Sequence, residues 1–253
     1  MKWLNVYRSG VRKMIELQDV TLKIRKRHVL NGISLKLGQG SFIGLVGENG
    51  SGKTSLLKVM AGLLKPTAGT ALLSGQPITR RAASDISYMA DADGFYPFFT
   101  AQELFDFYAT QFKDFDLKKA VEISGFLQVP LKTKLKDLSK GSRGRAKIAA
   151  TLARDTGYYL LDEPFSGLDP MVRMDIAKGL IRFTDPARQT IIMTTHEISE
   201  IEPLLDRIVV LKEGRIIAEN SVDGIRYEHG MDATKWMISL FEEQKSEFRG
   251  GAR

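Results

Sequence analysis

The chain has 253 residues, a formal net charge of +7 and 43% hydrophobic residues. This length and apolar content suffice for one α/β domain with a smaller subdomain, and they argue against two large independent domains. Because the chain contains no cysteine, disulfides and thiolate metal sites are excluded, any metal must bind to oxygen ligands, and a reducing compartment fits the composition.

The positive charge favours an anionic partner: a nucleotide, a nucleic acid or an anionic membrane surface. There is no arginine-rich tail with interleaved aromatics, so charge alone gives a nucleic-acid partner modest support. No run approaches the roughly 18 apolar residues that span a bilayer, and the start, MKWLNVYRSGVRK, lacks the apolar core of a signal peptide. We therefore expect a soluble chain, or one that is held at a membrane by a partner.

Residues 1–13 are predicted to be an appendage, and the first strand follows in MIELQDVTLKI, where apolar residues alternate except around Asp19. Unbroken apolar runs are typical of a parallel sheet that is buried on both faces. Three such runs are present: SFIGLV at 41–46, YYLL at 158–161 and TIIMTT at 190–195. Residues 101–155 are mostly helical in pattern, which predicts a helical subdomain, at about 90–155, inserted into one α/β core.

The segment RIVVLKEGRIIAEN predicts two strands joined by a Glu213-Gly214 turn, as an antiparallel hairpin at the edge of the sheet. The α/β domain is expected to cover residues 14–225. Residues 226–253 then form a tail in which ATKWMISLFEEQ has the pattern of an amphipathic helix, and such a helix is more often a packing element than a functional one.

The segment GENGSGKT, Gly47 to Thr54, matches G-x-x-x-x-G-K-[ST], follows a predicted strand and precedes the helical run SLLKVMAGLL. Its glycines let successive backbone N–H groups point at phosphate oxygens, and the helix that follows adds its positive end. Lys53 is expected to reach the β and γ phosphates of a nucleotide, and Thr54 to bind Mg²⁺. The flanking strand and helix disfavour the alternative, a glycine-rich turn that only resembles a phosphate loop.

Asp162 and Glu163 follow the buried run YYLL, at a sheet edge that we expect to lie beside the phosphate loop. There Asp162 can hold Mg²⁺, and Glu163 can orient or deprotonate an attacking water. Without the loop, a solvated strand end would be the better interpretation of this pair. His196 follows TIIMTT; alone it is more typical of a structural residue, but a third strand end on this edge would aim it at the γ phosphate.

Together, GENGSGKT, YYLLDEP and LSKGS at 138–142 resemble motifs of the nucleotide-binding subunits of ABC transporters, over about residues 14–219. The resemblance implies an α/β fold with a P-loop NTPase (RecA-like) core, an antiparallel β-subdomain and an inserted helical subdomain. It also implies ATP and Mg²⁺ as ligands. In the terms of that family, these segments are Walker A, Walker B and the signature, and SGLD at 166–169 is the D-loop.

The longer segment LSKGSRGR, residues 138–145, has three interpretations: a basic loop for nucleic acid, a solvated helix start, or half of a phosphate site that another molecule completes. Ser139 is a good N-cap for a helix that begins near Gly141, whose positive end and free N–H groups can bind an anion from outside. The resemblance favours the third interpretation, because the family's signature covers the ATP held by the opposite subunit. No nucleic-acid partner is then expected, and the cations that follow, Arg143, Arg145 and Lys147, are expected to form a solvated helix face.

The residue set that the resemblance implies has three parts. The catalytic residues are Glu163, His196 and Lys53, and the Mg²⁺ ligands are Thr54, Asp162 and Asp91. The nucleotide contacts are Gly47, Asn49, Gly50, Ser51, Gly52, Lys53, Thr54, Ser55, Ser139, Gly141, Ile24 and Arg25.

The sequence departs from the family pattern at three places. Lys140 and Ser142 replace the usual Gly and Gln of the signature, LSGGQ, while the serine and the second glycine remain. Asp91 takes the place of the family's Q-loop glutamine; it can reach Mg²⁺ directly or through water, but it adds negative charge beside the phosphates. The aromatic residue that stacks on adenine aligns with Ile24, next to Arg25, so base stacking is expected to be weaker.

An aromatic segment, Phe95, Tyr96, Phe98 and Phe99, follows Asp91 closely. One interpretation places these rings in the core of the helical subdomain. The other makes them an exposed apolar patch that receives a coupling helix from a membrane partner.

The resemblance predicts an ATP-hydrolysing subunit on the cytoplasmic face of the cell membrane, bound peripherally, which dimerises on ATP and powers export by a separate transmembrane permease. The pair is either a homodimer or a heterodimer. One alternative is a partly degenerate or regulatory subunit of a heterodimer, which Asp91 and the altered signature favour. Another is a soluble ABC ATPase outside transport, which normally has two such cassettes or long heptad runs. A P-loop kinase would lack the signature.

Overall fold

The computed structural model describes residues 13–92 and 94–250, so residues 1–12 of the predicted appendage lie outside the described residues. The strands are β1 (Ile15–Ile24), β2 (Arg27–Leu37), β3 (Phe42–Val46), β4 (Ala68–Leu73), β5 (Gln76–Pro77), β6 (Ile86–Met89), β7 (Tyr158–Leu161), β8 (Thr190–Thr195), β9 (Arg207–Lys212) and β10 (Arg215–Ser221). The helices are α1 (Lys53–Met60), α2 (Ala101–Gln111), α3 (Leu117–Phe126), α4 (Lys140–Leu152), α5 (Pro170–Phe183), α6 (Val222–His229) and α7 (Ala233–Gly250).

The larger sheet has the strand order β10-β9-β3-β8-β7-β6. Its strands are parallel except for β10, which pairs antiparallel with β9 at the edge. The three apolar runs of the sequence are β3, β8 and β7, and they lie side by side. The predicted parallel sheet and edge hairpin are therefore confirmed.

The central strands of this sheet are mostly apolar because a hydrophobic cluster covers each face. Successive side chains of β7 alternate between the two clusters. Tyr158 and Leu160 pack in the cluster that contains α1 and the smaller sheet, whereas Tyr159 and Leu161 pack in the cluster that contains the other helices. All four side chains are fully buried, which leaves the residues after the strand as the first polar groups at the sheet edge.

The smaller sheet is antiparallel, with the order β2-β1-β4-β5, so the predicted β-subdomain is confirmed. The pairing of β1 with β2 shifts in register between Leu17 and Val20, where Asp19 has φ 50°. This bulge explains the break in the apolar alternation of the sequence.

Helices α2, α3 and α4 are inserted between β6 and β7, which are neighbours in the sheet, as predicted for the helical subdomain. A capping box fixes the start of α2: Thr100 Oγ1 accepts a hydrogen bond from the Glu103 N–H, and Glu103 Oε2 accepts one from the Thr100 N–H. After α4, the buried Arg154 forms an ion pair with Asp114 at 2.9 Å, which ties the end of α4 to the segment between α2 and α3. Within the described residues, no helix has the length and apolar character needed to cross a bilayer.

The C-terminal tail contains two helices, α6 and α7, where one helix was predicted, and the predicted domain end at residue 225 falls within α6. Trp236 of α7 is 5% exposed and packs in the cluster on the helical face of the sheet. The tail is therefore part of the packed structure, as its amphipathic pattern indicates.

Candidate functional site

The phosphate loop connects β3 to α1 at the carboxyl end of the parallel strands. Gly47 has φ 153° and Gly52 has φ 107°, values that other residues rarely adopt. A Cβ atom on Gly47 would lie 2.1 Å from the carbonyl oxygen of Leu211 in β9, so a side chain there would clash with backbone. Glycine is thus required at this position both by conformation and by space.

Lys53 is buried against this loop, with a side chain that is 6% exposed. Its ammonium donates hydrogen bonds to the carbonyl oxygens of Gly47 at 2.7 Å and Glu48 at 3.1 Å. Burial lowers the pKa of Lys53, and the negative charges of Glu163 and Asp162 oppose this shift. A poorly solvated cation within a tight glycine loop suits the binding of a phosphate group.

Asp162 is the first residue after β7, is 2% exposed and is held by three hydroxyl groups. Thr54 Oγ1 and Thr194 Oγ1 each donate to Asp162 Oδ1 at 2.9 Å, and the Tyr88 hydroxyl donates to Oδ2 at 3.3 Å. Burial raises the pKa of Tyr88, and so does the charge of Asp162, so this hydroxyl remains protonated and a donor at neutral pH. The structure therefore brings together Thr54 and Asp162, two of the three predicted metal ligands.

Glu163 follows in a left-handed backbone conformation, with φ 48°, which is uncommon for a residue with a side chain. Its N–H donates to Thr194 Oγ1 at 2.8 Å. Its carboxylate lies 3.8 Å from Lys53 Nζ and 3.0 Å from Nδ1 of His196. The three residues predicted to be catalytic are therefore neighbours, and they come from three different segments of the chain.

A cavity of about 520 Å³ opens over the phosphate loop. It is lined by loop residues, among them Asn49 and Ser55, and by three residues that follow strands: Asp91, Glu163 and His196. In the same loop, the buried hydroxyl of Ser51 has no hydrogen-bond partner among the described residues. Ser51 does not line the cavity, so it is the buried Lys53 ammonium and the loop backbone around it that fit an anionic ligand.

The donor set of the cavity also fits Mg²⁺. Within the described residues, no group of three or more His, Asp or Glu side chains can hold a metal ion by itself. Thr54 and Asp162 supply a hydroxyl and a carboxylate at one point, and Asp91 lines the same cavity. Mg²⁺ accepts such a small set, because it is usually bound by one or two carboxylates together with phosphate oxygens and water.

Ser139 and Gly141, at the start of α4, do not line this cavity. Ser139 Oγ accepts a hydrogen bond from the Ser142 N–H at 3.1 Å, so Ser139 is the N-cap, as predicted. A Cβ atom on Gly141 would lie 3.2 Å from Val172 of α5, so the helix start packs closely against α5. Within one chain, the structure does not bring these two predicted nucleotide contacts to the phosphate loop.

The expectation that the cations of α4 form a solvated face is wrong. Lys147 is 7% exposed, and the side chain of Arg145 is 15% exposed and pairs with Asp175 of α5 at 2.6 Å. Arg143 donates to the carbonyl oxygen of Leu138 at 2.6 Å. Because α4 packs between β6 and α5, even its charged side chains are largely covered and need partners within the protein.

Ile24 is 44% exposed, and Arg25 has φ 47° in the turn between β1 and β2. Neither residue lines the phosphate-loop cavity, to which β2 contributes Val29. Their contact with a nucleotide base stays a prediction.

Each of the two interpretations of the aromatic segment holds for part of it. Phe95 and Phe99 are partly buried and pack against the core. Tyr96 and Phe98 are exposed by 53% and 59%, and their ring centroids lie 5.5 Å apart. Phe107 of α2 joins them, with its ring centroid 6.1 Å from that of Tyr96. The segment is thus anchored by two rings and exposes a small apolar patch with the others.

Comparison with known proteins decides the family. Residues 30–166 match the family model described as ABC transporter. The chain belongs to the ABC transporter family. Among ABC transporter ATP-binding proteins, the uncharacterized YdbJ of Bacillus subtilis is 32% identical over 217 residues, which cover 83% of this chain and 70% of that protein. The Nod factor export ATP-binding protein I of Burkholderia lata is 35% identical over 216 residues, covering 82% of this chain and 70% of the relative.

Solved structures of ABC transporter proteins share the fold. A structure described as the ATP-binding subunit of an ABC transporter has a TM-score of 0.76 at 22% identity, covering 90% of this chain and 99% of the other. A bacterial Atm1-family ABC exporter with ATP bound has the same TM-score at 23% identity, covering 90% of this chain and 42% of the exporter chain. This ABC domain therefore has the P-loop NTPase fold that the resemblance implied.

Two residues of the ABC domain's site were not found from the sequence. Thr194 contacts both Asp162 and Glu163, and a signal for it exists, since Thr194 and Thr195 are two hydroxyl residues that end the run TIIMTT before His196. Tyr88 contacts Asp162, but a tyrosine within a strand gives no sign of such a contact.

Proposed function

We propose that this ABC transporter ATP-binding domain hydrolyses ATP, dimerises around ATP and powers export by a separate transmembrane permease. Support for hydrolysis comes from one observation: the Glu163 carboxylate lies 3.8 Å from Lys53 and 3.0 Å from His196, on the wall of the phosphate-loop cavity. A second carboxylate beside Asp162 opposes the binding of a polyphosphate by its charge. A carboxylate in this position, beside a buried cation and a histidine, suits a group that accepts a proton from, or orients, an attacking water.

In the proposed reaction, the backbone N–H groups of the loop and Lys53 bind the β and γ phosphates. Glu163 orients the attacking water and accepts its proton. His196, in contact with Glu163 through Nδ1, keeps that carboxylate in place and adds a polar group near the γ phosphate. Thr54 and Asp162 would hold Mg²⁺, which when bound neutralises charge on the phosphates.

Dimerisation is supported by the position of Ser139 and Gly141. They lie at the outward start of α4 and not at the phosphate loop of their own chain. The free N–H groups and positive end of this helix suit the γ phosphate of an ATP bound to another subunit. ATP then joins two subunits, and hydrolysis releases them. This cycle between a closed and an open pair is the two-state element that would drive a permease.

The exposed rings of Tyr96, Phe98 and Phe107 support a docking surface for the permease. The aromatic segment follows Asp91 of the nucleotide cavity directly, so a partner bound to these rings would lie close to the site. Export is favoured by the relative named for Nod factor export. The proposal puts the domain at the cytoplasmic face of the cell membrane, bound peripherally through the permease.

A second candidate function is that of a subunit that binds ATP but contributes little hydrolysis in a heterodimer. Asp91 favours this candidate, because it adds a carboxylate to a cavity that already contains Glu163. A measurable turnover by the isolated chain would exclude it.

The test is ATP turnover and solution mass of the Glu163→Gln variant. We expect turnover to fall by about 10²- to 10⁴-fold, ATP binding to remain, and light scattering with ATP and Mg²⁺ to show a dimer where the nucleotide-free protein is a monomer. Glu197→Gln is the matched control, because Glu197 lies 3.8 Å from the other side of the His196 ring and is half exposed; it should retain turnover. Unchanged turnover in Glu163→Gln would refute the hydrolysis assignment, and a monomer with ATP bound would refute homodimerisation.

A further inference from the structure

Lys147 lies in the middle of α4, and its ammonium is buried against the segment that follows β6. It donates hydrogen bonds to three successive carbonyl oxygens: those of Ala90 at 3.3 Å, Asp91 at 2.6 Å and Ala92 at 3.2 Å. An ammonium has three N–H donors, so these acceptors can satisfy all of them. A buried charge is stable only with such partners, so these three carbonyl groups help to hold the ammonium, and the ammonium in turn fixes the segment.

The segment that Lys147 holds forms part of the candidate active site. Asp91 lines the cavity over the phosphate loop, together with Glu163 and His196. Asp91 also lines a second, smaller cleft of about 170 Å³, and Lys147 lines the same cleft. Asp91 therefore borders both the nucleotide cavity and the cleft that Lys147 lines.

The Lys147 ammonium also lies 6.0 Å from the ring centroid of Phe95, the first ring of the aromatic segment. Lys147 lies about 12 Å along the axis of α4 from the N-cap Ser139. One short, rigid helix therefore joins the outward-facing start of α4 to the backbone of Asp91. Asp91 and Ala92 are exposed and belong to neither a helix nor a strand. Their hydrogen bonds to Lys147 therefore attach this segment to α4.

We propose that Lys147 is a positioning residue that fixes the backbone of Asp91 against α4 and so sets where the Asp91 carboxylate lies beside the phosphate loop. The inference rests on the proposed ATPase function, because it concerns the edge of the cavity where Mg²⁺ and the attacking water would bind. Residues that orient a metal-facing group from behind commonly change metal affinity or activity by about 10- to 100-fold when replaced.

The first test needs no nucleotide. Lys147→Met keeps an unbranched side chain of similar length and removes the three donors. We expect the backbone ¹⁵N order parameters of Asp91 and Ala92 to fall from about 0.85, typical of rigid backbone, to below about 0.6. Ser87→Ala is the matched control, because the Ser87 hydroxyl donates to the Thr151 carbonyl oxygen at 3.1 Å and ties β6 to α4 one turn further on. This control should leave the order parameters of Asp91 and Ala92 unchanged, and unchanged order parameters in Lys147→Met would overturn the proposal.

The second test asks whether Lys147 acts through Asp91. In Lys147→Met, the Mg²⁺ concentration for half-maximal ATP turnover should rise by about tenfold, while ATP affinity without Mg²⁺ stays close to that of the wild type. Asp91→Asn should shift the Mg²⁺ dependence in the wild-type background but add little in the Lys147→Met background. Full additivity of the two changes would overturn the proposal, because Lys147 would then act independently of Asp91.

Two further variants keep the result interpretable. Lys147→Arg retains a cation with several donors and should keep both readouts closer to wild type than Lys147→Met does. If Lys147→Met does not fold, Lys147→Gln, which retains two donors, replaces it in both tests. If the wild-type chain lacks ATP turnover, the hydrolysis proposal fails, whereas the backbone order parameters of Asp91 and Ala92 still decide the role of Lys147.

Discussion

The residues at the strand ends and the residues at the start of α4 are both predicted to contact phosphate, but they differ in what the chain itself provides. At the strand ends, Asp162 accepts three hydrogen bonds, and Glu163 contacts both Lys53 and His196. At the start of α4, Ser139 bonds to Ser142 in the same helix. The side chains of the first region are held by hydrogen bonds and ion pairs between distant segments, whereas the Ser139 hydroxyl is held by bonds within its own helix start.

This difference indicates what a substitution in each region should change. Changes at the strand ends act within one molecule and should alter the chemistry at the phosphate loop. Changes at the start of α4 should leave that loop intact and act when two molecules meet. The predictions below test this division.

The largest effect is expected from Ser139→Arg, which places a bulky cation at the start of α4. ATP binding to the isolated chain should persist, while ATP-driven dimerisation is lost and turnover falls by about 100-fold or more. Light scattering and turnover measured on the same sample check this. Ser221→Arg is the control, because Ser221 caps α6 in the same way, by accepting from the Gly224 N–H at 2.9 Å. Both variants lose a cap worth about 1 kcal/mol, so equal loss of dimer in both would contradict the comparison.

A smaller effect is expected from Thr194→Val, which removes the hydroxyl shared by Asp162 and Glu163. Turnover should fall by about tenfold, as for other residues that orient metal ligands, with the dimer still forming on ATP. Thr190→Val is the control at the opposite end of β8, where Thr190 Oγ1 accepts from the Gly40 N–H and donates to the Gly38 carbonyl oxygen. Both variants should lose about 1–3 kcal/mol of unfolding free energy. If Thr190→Val lost turnover equally, the effect of Thr194 would be one of stability alone.

The smallest effect is expected from Ile24→Tyr, at the predicted base contact outside both regions. An aromatic ring that stacks on a base contributes about 1 kcal/mol or more, so ATP affinity should increase by about fivefold. Titration with inorganic triphosphate, which has no base, should give the same affinity for the variant and the wild type. Ile24→Leu is the control for a change of side chain without an aromatic ring. Unchanged ATP affinity in Ile24→Tyr would show that the turn at Arg25 does not reach the base.

The sequence predicted those parts of the fold and the site that depend on short, continuous segments. The runs of β3, β7 and β8 lack charged residues and are mostly apolar, and the glycines of the phosphate loop are fixed by backbone conformation. Both features can be recognised from residues that are consecutive in the sequence. For the same reason, Asp162, Glu163 and His196 were found, since each follows an apolar run.

The contacts that the sequence did not predict join segments that are distant in the chain. Lys147 has the surroundings of a charged helix face in the sequence, and only the packing of α4 against β6 shows that its ammonium meets the carbonyl of Asp91. Tyr88 and Thr194 approach Asp162 because β6, β7 and β8 are neighbours in the sheet. Strand order is set by the whole fold, so no local pattern indicates these partners.

The insertion of α2, α3 and α4 between two paired strands also bears on how the chain folds. Ser87 of β6 pairs with Tyr159 of β7, so this part of the sheet forms only after a loop of about seventy residues has closed, which is entropically costly. Contacts within the inserted helices are local and form faster. We expect pulse-labelled hydrogen exchange during refolding to show protection of α2 and α3 before β6 and β7. The pairing of these two strands would then be a late, rate-limiting step, and substitutions at their interface should slow refolding more than they speed unfolding.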